Sequence, residues 1–255
     1  MFDSLKTDET IKTSGDTLGG SKYSTLESAL YDFTVKLAYG SISKGGAKAL
    51  NLLLETADGK ELKQQLWMSS GKAKGCLNYY MSKNPKTGNK DMKKYLPGFE
   101  AANHLTQMCL GKEINQVNPE TKTIMLYDFS QGKEVPTEVP MITELINKKI
   151  TAGVIKKVEN KRTLDADTGK YVATTETREI NEIDKFFHYP TGLTVTEAQA
   201  KADKPVFKEK WAEKWTGVTK DNTESDIALA PSKKSSTAAS NTPREGASLF
   251  GGAAA

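Results

Sequence analysis

Apolar residues fall on every second position from Tyr31 to Tyr39, where Tyr31, Phe33, Val35, Leu37 and Tyr39 alternate with smaller or polar side chains. Period two with β-branched and aromatic content predicts a half-buried strand. Gly40 and Gly45-Gly46 bound a turn, after which Leu50, Leu52 and Leu54 alternate with Asn51, Leu53 and Glu55 in a second strand. That strand closes at Asp58-Gly59, a strong hairpin signal. A third strand follows, with Leu62, Leu66 and Met68 on one side and Lys63, Gln65 and Trp67 on the other. Three consecutive antiparallel strands make a meander.

From Ser69 to Lys94 the alternation gives way to Gly, Ser, Asn and Lys, which reads as a long irregular loop. Such loops inside a compact domain are either functional or disordered. Order returns at Tyr95-Leu96-Pro97-Gly98-Phe99. Ala101, Leu105 and Met108 recur at helical spacing between Glu100 and Leu110, and Gly111 supplies the stop. Thr123 to Phe129 reads as another strand, and Pro136 and Pro140 punctuate the stretch after it. Ile150 to Val158 predicts a strand paired, through a turn at Asp165 to Gly169, with Tyr171 to Ile183. Beyond Gly192 the pattern is helical: Thr194 with Glu197 forms a capping box, and Phe207, Trp211 and Trp215 repeat every four residues on a face suited to docking on the core. From Val218 onward Ser, Thr, Ala, Pro and Lys follow without periodicity, too little apolar area to offset the entropy of ordering, so this tail is expected to be disordered. The reading divides the chain into a flexible leader (1–22), a β-rich domain (23–192), a helical segment packed on the core (193–217) and a tail (218–255).

At 255 residues the chain is long enough for one large domain or two modest ones. A hydrophobic share of 37% and a mean hydropathy of −0.55 fit a globule with an unpacked portion. Cys76 and Cys109 lie in no partner motif, so a disulfide framework is not expected and a reducing, intracellular setting is the default. No apolar run approaches the ~18 residues that span a bilayer. Asp3, Asp8, Glu9 and Asp16 argue against an ordinary signal peptide.

Charge sharpens the picture. Between Lys60 and Tyr95 stand nine lysines, opposed only by Glu61 and Asp91, while the whole chain carries just +4. Trp67, Tyr79, Tyr80 and Tyr95 lie in the same segment. Cations neutralise phosphates and release counterions, and aromatic faces stack on unpaired bases, so the combination points to single-stranded nucleic acid. A solvated lysine-rich loop with its aromatics turned inward is the competing reading. The candidate contact residues are Lys36, Tyr39, Lys63, Trp67, Lys72, Lys74, Tyr79, Tyr80, Lys83, Lys93, Lys94 and Tyr95, with Lys156 and Lys157 as an extension of the surface.

Other chemistries find little support. Gly40 and Gly45 have the spacing of a phosphate-binding loop, but Gly46 and Ala47 stand where Lys and Ser/Thr are required. His104, Cys109 and Cys76 form no close ligand pair for zinc, and no metal or other cofactor is expected. Glu176, Glu179, Glu182 and Asp184 alternate along a strand as a solvent-facing set would, and they are the only acids offered to a nuclease. A non-enzymatic binding protein is the expectation, against a β-rich virion assembly protein, a strand-annealing factor or a nuclease.

The order of short motifs resembles the single-stranded DNA-binding proteins of tailed bacteriophages, the podovirus type in particular. The similar stretches are Leu18-Gly19-Gly20, Thr25-Leu26-Glu27-Ser28, Tyr31-Asp32-Phe33, Thr56-Ala57-Asp58-Gly59-Lys60-Glu61-Leu62, Gly75, Asn78-Tyr79-Tyr80 and Tyr95-Leu96-Pro97-Gly98-Phe99. Further along come Val139-Pro140-Met141, Glu176-Thr177-Arg178-Glu179, Asn181-Glu182-Ile183-Asp184-Lys185, Lys214-Trp215-Thr216-Gly217 and Leu249-Phe250-Gly251. The resemblance implies a β-rich α+β fold built on an OB-fold-like antiparallel barrel with inserted loops. It implies a protein that coats single-stranded DNA during phage replication, recombination or repair in the cytoplasm of the infected host. Proteins of this type often end in an acidic tail with a hydrophobic tip that recruits replication or recombination partners. Here the tail carries Lys233, Lys234 and Arg244, and only the Leu249-Phe250 tip keeps the form, which makes those two residues the partner-binding candidates.

Overall fold

A computed structural model describes residues 25–128, 130–165 and 169–224. The leader, the tail from residue 225 and the Leu249-Phe250 tip lie outside the described residues. Alternating strands dominate: β1 (Ala29–Ile42), β2 (Lys48–Thr56), β3 (Glu61–Trp67), β4 (Tyr79–Ser82), β5 (Met92–Tyr95), β6 (Glu120–Asp128), β7 (Lys133–Met141), β8 (Lys149–Leu164), β9 (Tyr171–Phe187) and β10 (Thr219–Asp221). Three helices interrupt them, α1 (Pro97–Leu110), α2 (Val195–Gln199) and α3 (Val206–Trp215). The chain is β-rich, about 47% strand and 19% helix, with antiparallel sheets.

The meander exists as β1–β2–β3, and β8 and β9 extend it on the other side of β1. Side chains on its inner face make the main core: Phe33, Val35 and Ala38 from β1, Leu50, Leu52 and Leu54 from β2, Leu62 and Leu66 from β3, Ile150, Ala152 and Val154 from β8. Removing each large apolar side chain from water contributes about 1.5–3 kcal/mol, so this face fixes the strand register. At Lys36 an extra residue enters β1, since Val35 pairs with Leu54 and Leu37 with Leu53. Here β1 also exchanges neighbours: Ala29 to Thr34 pair with β8, whereas Tyr39 pairs with Met141 of β7. A bulge bends its strand and strengthens the local twist, which lets one strand serve both partners.

No sheet is closed on itself. Its two long edges nevertheless approach, and the Ile183 N–H of β9 donates to Gln64 Oε1 of β3 at 3.0 Å. Helix α1 packs against β3, β8 and β9, with Ala102 and Leu105 buried in the core. On the opposite face Trp211 of α3 lies flat over Gly153, where a Cβ would sit 2.6 Å from the ring. The indole N–H donates to Asp184 Oδ2 at 2.7 Å, completing a second small core with Ile155 and Phe187.

Several expectations need correction. The stretch 69–94 is not a continuous irregular loop, because it contains a 3-10 turn at Lys72–Lys74 and the hairpin β4–β5. Charge and glycine content masked a pairing too short to show an alternation. Pro136 and Pro140 do not break the chain but lie inside β7, where β7 pairs with β6 on one side and with β1 only at Met141. Proline is tolerated where no ladder partner needs its N–H. The helical segment is two helices, α2 and α3, with Pro205 at the entrance of the second. The stretch from Val218 is not without structure: Thr219–Asp221 form β10, parallel to Lys156–Val158 of β8. Three residues paired by backbone alone carry no hydrophobic signature.

Candidate nucleic-acid interface

The ladder register sets out the outer face of the meander row by row. Ser41, Ala49 and Trp67 stand opposite one another, as do Tyr39, Asn51 and Gln65, and Leu37, Leu53 and Lys63. Residues directly opposite share a face. Tyr39, Lys63 and Trp67, far apart in sequence, are therefore brought onto one surface. Trp67 is 44% exposed there. Tyr39 is half-buried, and burial raises its phenol above the ordinary value. Between the two rings runs a polar tie that the lysine-and-aromatic pattern did not single out. Gln65 Nε2 donates to Asn51 Oδ1 and Asn51 Nδ2 donates to Ser41 Oγ, both at 2.8 Å. Its signal in the sequence was the outward parity of Asn51 and Gln65 in otherwise leucine-rich strands.

Trp67 is held by its backbone. A Cβ at Gly98, in the first turn of α1, would lie 2.3 Å from the Trp67 carbonyl oxygen, so only glycine lets the helix approach. Two residues earlier the Leu96 N–H donates to the Asn78 carbonyl at 2.8 Å, tying the foot of the β4–β5 hairpin to the helix entrance. In that hairpin Tyr79 stands opposite Tyr95 and Tyr80 opposite Lys94. Tyr79 and Tyr80 thus face opposite ways. Lys93 Nζ lies 4.8 Å above the Tyr79 ring, and the Tyr95 and Phe99 rings are 5.0 Å apart. Tyr80 and Tyr95 keep 45% and 59% of their surface exposed.

Lys72 and Lys74 are placed by the β1–β2 turn. Gly46, at φ 79°, leaves room for the Lys72 stem, which would touch a Cβ there at 2.6 Å, and the Lys72 N–H donates to the Gly45 carbonyl at 2.8 Å. The turn at Lys72–Lys74 buries no side chain. Lys72, Lys74, Lys83, Lys93 and Lys94 form no ion pair with a described residue, so their charge is open to an external anion. Lys83 lies just past β4, beside the turn that closes the hairpin at Asn84 to Asn89.

Three expected lysines have their charge engaged within the protein. Lys36, the bulge residue, pairs with Glu55 at 2.7 Å. Lys156 is held by Glu27 at 3.0 Å and Glu179 at 3.2 Å, and Lys157 is paired with Glu182 and largely buried, which lowers its ammonium pKa. The same pairs account for the acids offered to a nuclease. Glu176 binds Lys161 at 2.9 Å and Asp184 accepts from Trp211, so the four carboxylates serve four separate partners. Among the described residues no three His, Cys, Asp or Glu side chains converge as metal ligands.

A cavity of about 610 Å³ lies elsewhere, between α1 and α2, lined by Gln107, Met108, His188 and Leu193 among others. No carboxylate, lysine or arginine lines it, so it offers a phosphate no charge to bind. The outer face of the meander and its lysine loops remain the better-equipped surface. Comparison with known proteins adds no relative: no family model matches the chain, and no curated protein matches it either.

Proposed function

We propose that this protein binds single-stranded DNA, largely without sequence preference, on the outer face of β1–β3. The carrying observation is that Trp67 and Tyr39 share one face, while lysines without an ion pair among the described residues stand on the turn tied to Gly45 and on the hairpin tied to the entrance of α1, whose Gly98 abuts Trp67. A base stacked on an aromatic ring gains about 1–3 kcal/mol and needs no particular hydrogen-bond pattern, which suits sequence tolerance. The lysines track the backbone, and the Ser41–Asn51–Gln65 tie keeps the floor between the rings polar and rigid.

The fold is read as an OB-like barrel left open between β3 and β9. Its support is the five-strand order β9-β8-β1-β2-β3, the bulge in β1 and the side-chain bridge from Gln64 to Ile183. In such barrels one face and its loops receive oligonucleotides. A setting in phage replication, recombination or repair, inside an infected bacterial host, follows from the motif resemblance, as does a docking role for Leu249 and Phe250. The reading assigns no catalytic step.

The test is a tryptophan fluorescence titration with oligo-dT and with duplex DNA, at two salt concentrations. Trp67 is the most exposed of the three tryptophans at 44%, beside the partly buried Trp215 and Trp211 at 3%. Oligo-dT is expected to quench the signal more strongly at low salt, and duplex to quench it little. In Trp67→Phe the quenching disappears while binding, followed by anisotropy of labelled DNA, persists. Equal binding of duplex and single strand would overturn the reading.

A further inference from the structure

The outer face does not end at the meander. One row further along β1, Thr34 stands opposite Glu55 of β2 and Lys149 of β8. Thr151 pairs with Phe187, so the same register places Tyr189, two residues on, beside Lys149. The side chains meet: Lys149 Nζ lies 5.2 Å from the Tyr189 ring centroid. Next to them Lys185 Nζ lies 5.9 Å from the Phe207 ring of α3, and Phe207 packs 6.3 Å from buried Phe187. Tyr189 and Phe207 retain 38% and 44% of their surface exposed.

This repeats the local arrangement of the β4–β5 hairpin, a ring partly open to solvent with a lysine over one face, as at Tyr79 and Lys93. Neither Lys149 nor Lys185 forms an ion pair with a described residue. The acids along the way are already engaged: Glu55 by Lys36 at 2.7 Å, and Asp32 by the Thr151 hydroxyl at 2.6 Å. A phosphate backbone crossing the face at this level thus meets two lysines without an ion pair among the described residues and one neutralised acid, Glu55, while Asp32 and Glu197 keep their charge with their oxygens turned to the Thr151 hydroxyl and the Phe207 N–H.

We infer that Tyr189 and Phe207, with Lys149 and Lys185, form a second stacking station for the same polynucleotide, reached across β1 and β8 from the Trp67–Tyr39 platform. The inference rests on the function proposed above and extends its footprint. A short oligomer occupies the platform alone, and a longer one engages both stations.

The experiment compares oligo-dT of about four nucleotides with oligo-dT of about 16, the limits of what one OB-fold covers. The variants are Tyr189→Ala and, because Phe207 helps seat α3, the exposed Lys149→Glu as a second probe, each checked by circular dichroism for an intact fold. Each variant is expected to weaken the long oligomer at least about five-fold, the lower end of one lost stack, and to leave the short one unchanged. Lys149→Glu also flattens the salt dependence for the long oligomer only. Equal losses for both lengths, or none for either, would overturn the second station. Failure of the unaltered protein to bind either length would remove the platform, and the extension with it.

Discussion

Gln64 and Ile183 join the two edges of the main sheet, the Ile183 N–H of β9 donating to the Gln64 side-chain oxygen of β3 at 3.0 Å. One side-chain amide thus bridges two edges that no backbone ladder joins. Gln64→Leu leaves the partly buried Ile183 N–H without its acceptor and is expected to cost about 1–3 kcal/mol. Gln64→Glu keeps an acceptor and should lose less. Urea unfolding of both variants checks the difference, and equal stabilities would show that the bridge is not what holds the edges.

Lysines with and without partners should separate in a salt titration. Replacing Lys72, Lys74, Lys93 and Lys94 by alanine is expected to reduce the slope of log affinity against log salt by up to about 0.7 per lysine. Lys36→Ala should leave that slope almost unchanged, because Glu55 already neutralises Lys36 at 2.7 Å.

Gly98 couples stability to the binding face. In Gly98→Ala the new methyl meets the Trp67 backbone, and no flexible side chain is there to yield. A loss of about 1–3 kcal/mol is expected from such overpacking. Because α1 is displaced from the strand that carries Trp67, oligo-dT quenching should fall as well. A thermal melt and a fluorescence titration on one sample read both effects.

The two thiols should behave oppositely. Burial pushes the Cys109 thiol up to about 11, so it stays protonated and unreactive at neutral pH. In the unfolded chain this thiol ionises near 9. The folded state therefore binds more protons between these values, and its stability is full below about pH 9 and declines as pH rises toward 11. Cys76 is exposed, with its sulfur 3.6 Å from the Gly46 carbonyl. Iodoacetamide should modify Cys76 selectively, and oligo-dT should slow that reaction, as followed by intact mass.

The period-two runs of β2 and β3 were legible because one face is buried and the other is not, and that parity put Lys63, Gln65 and Trp67 outward. In β1 the run from Tyr31 to Tyr39 read as one face, but the bulge at Lys36 turns Leu37 and Tyr39 to the side opposite Phe33 and Val35. The capping box at Thr194 and Glu197 was equally plain, and both of its hydrogen bonds form. What stayed hidden depends on contacts between distant residues. Whether Lys36 or Lys156 is available depends on Glu55, Glu27 and Glu179, and nothing local in the sequence announces those pairings. The β4–β5 hairpin escaped notice because four-residue strands hold too few alternations to register. Nothing local in the sequence set Tyr189 apart, and only the pairing of β8 with β9 sets it beside Lys149.

A bulge bends its strand, so Lys36 stands between two panes of the outer surface, the Trp67–Tyr39 platform on one and Tyr189 with Phe207 on the other. A polynucleotide touching both must turn a corner within a few sugars. A lone strand turns freely, whereas a double helix, with a persistence length of about 150 base pairs, can lie along only one pane. Under the proposed function, the extra residue in β1 is expected to act as a stiffness filter, favouring pliant ligands before any base is read.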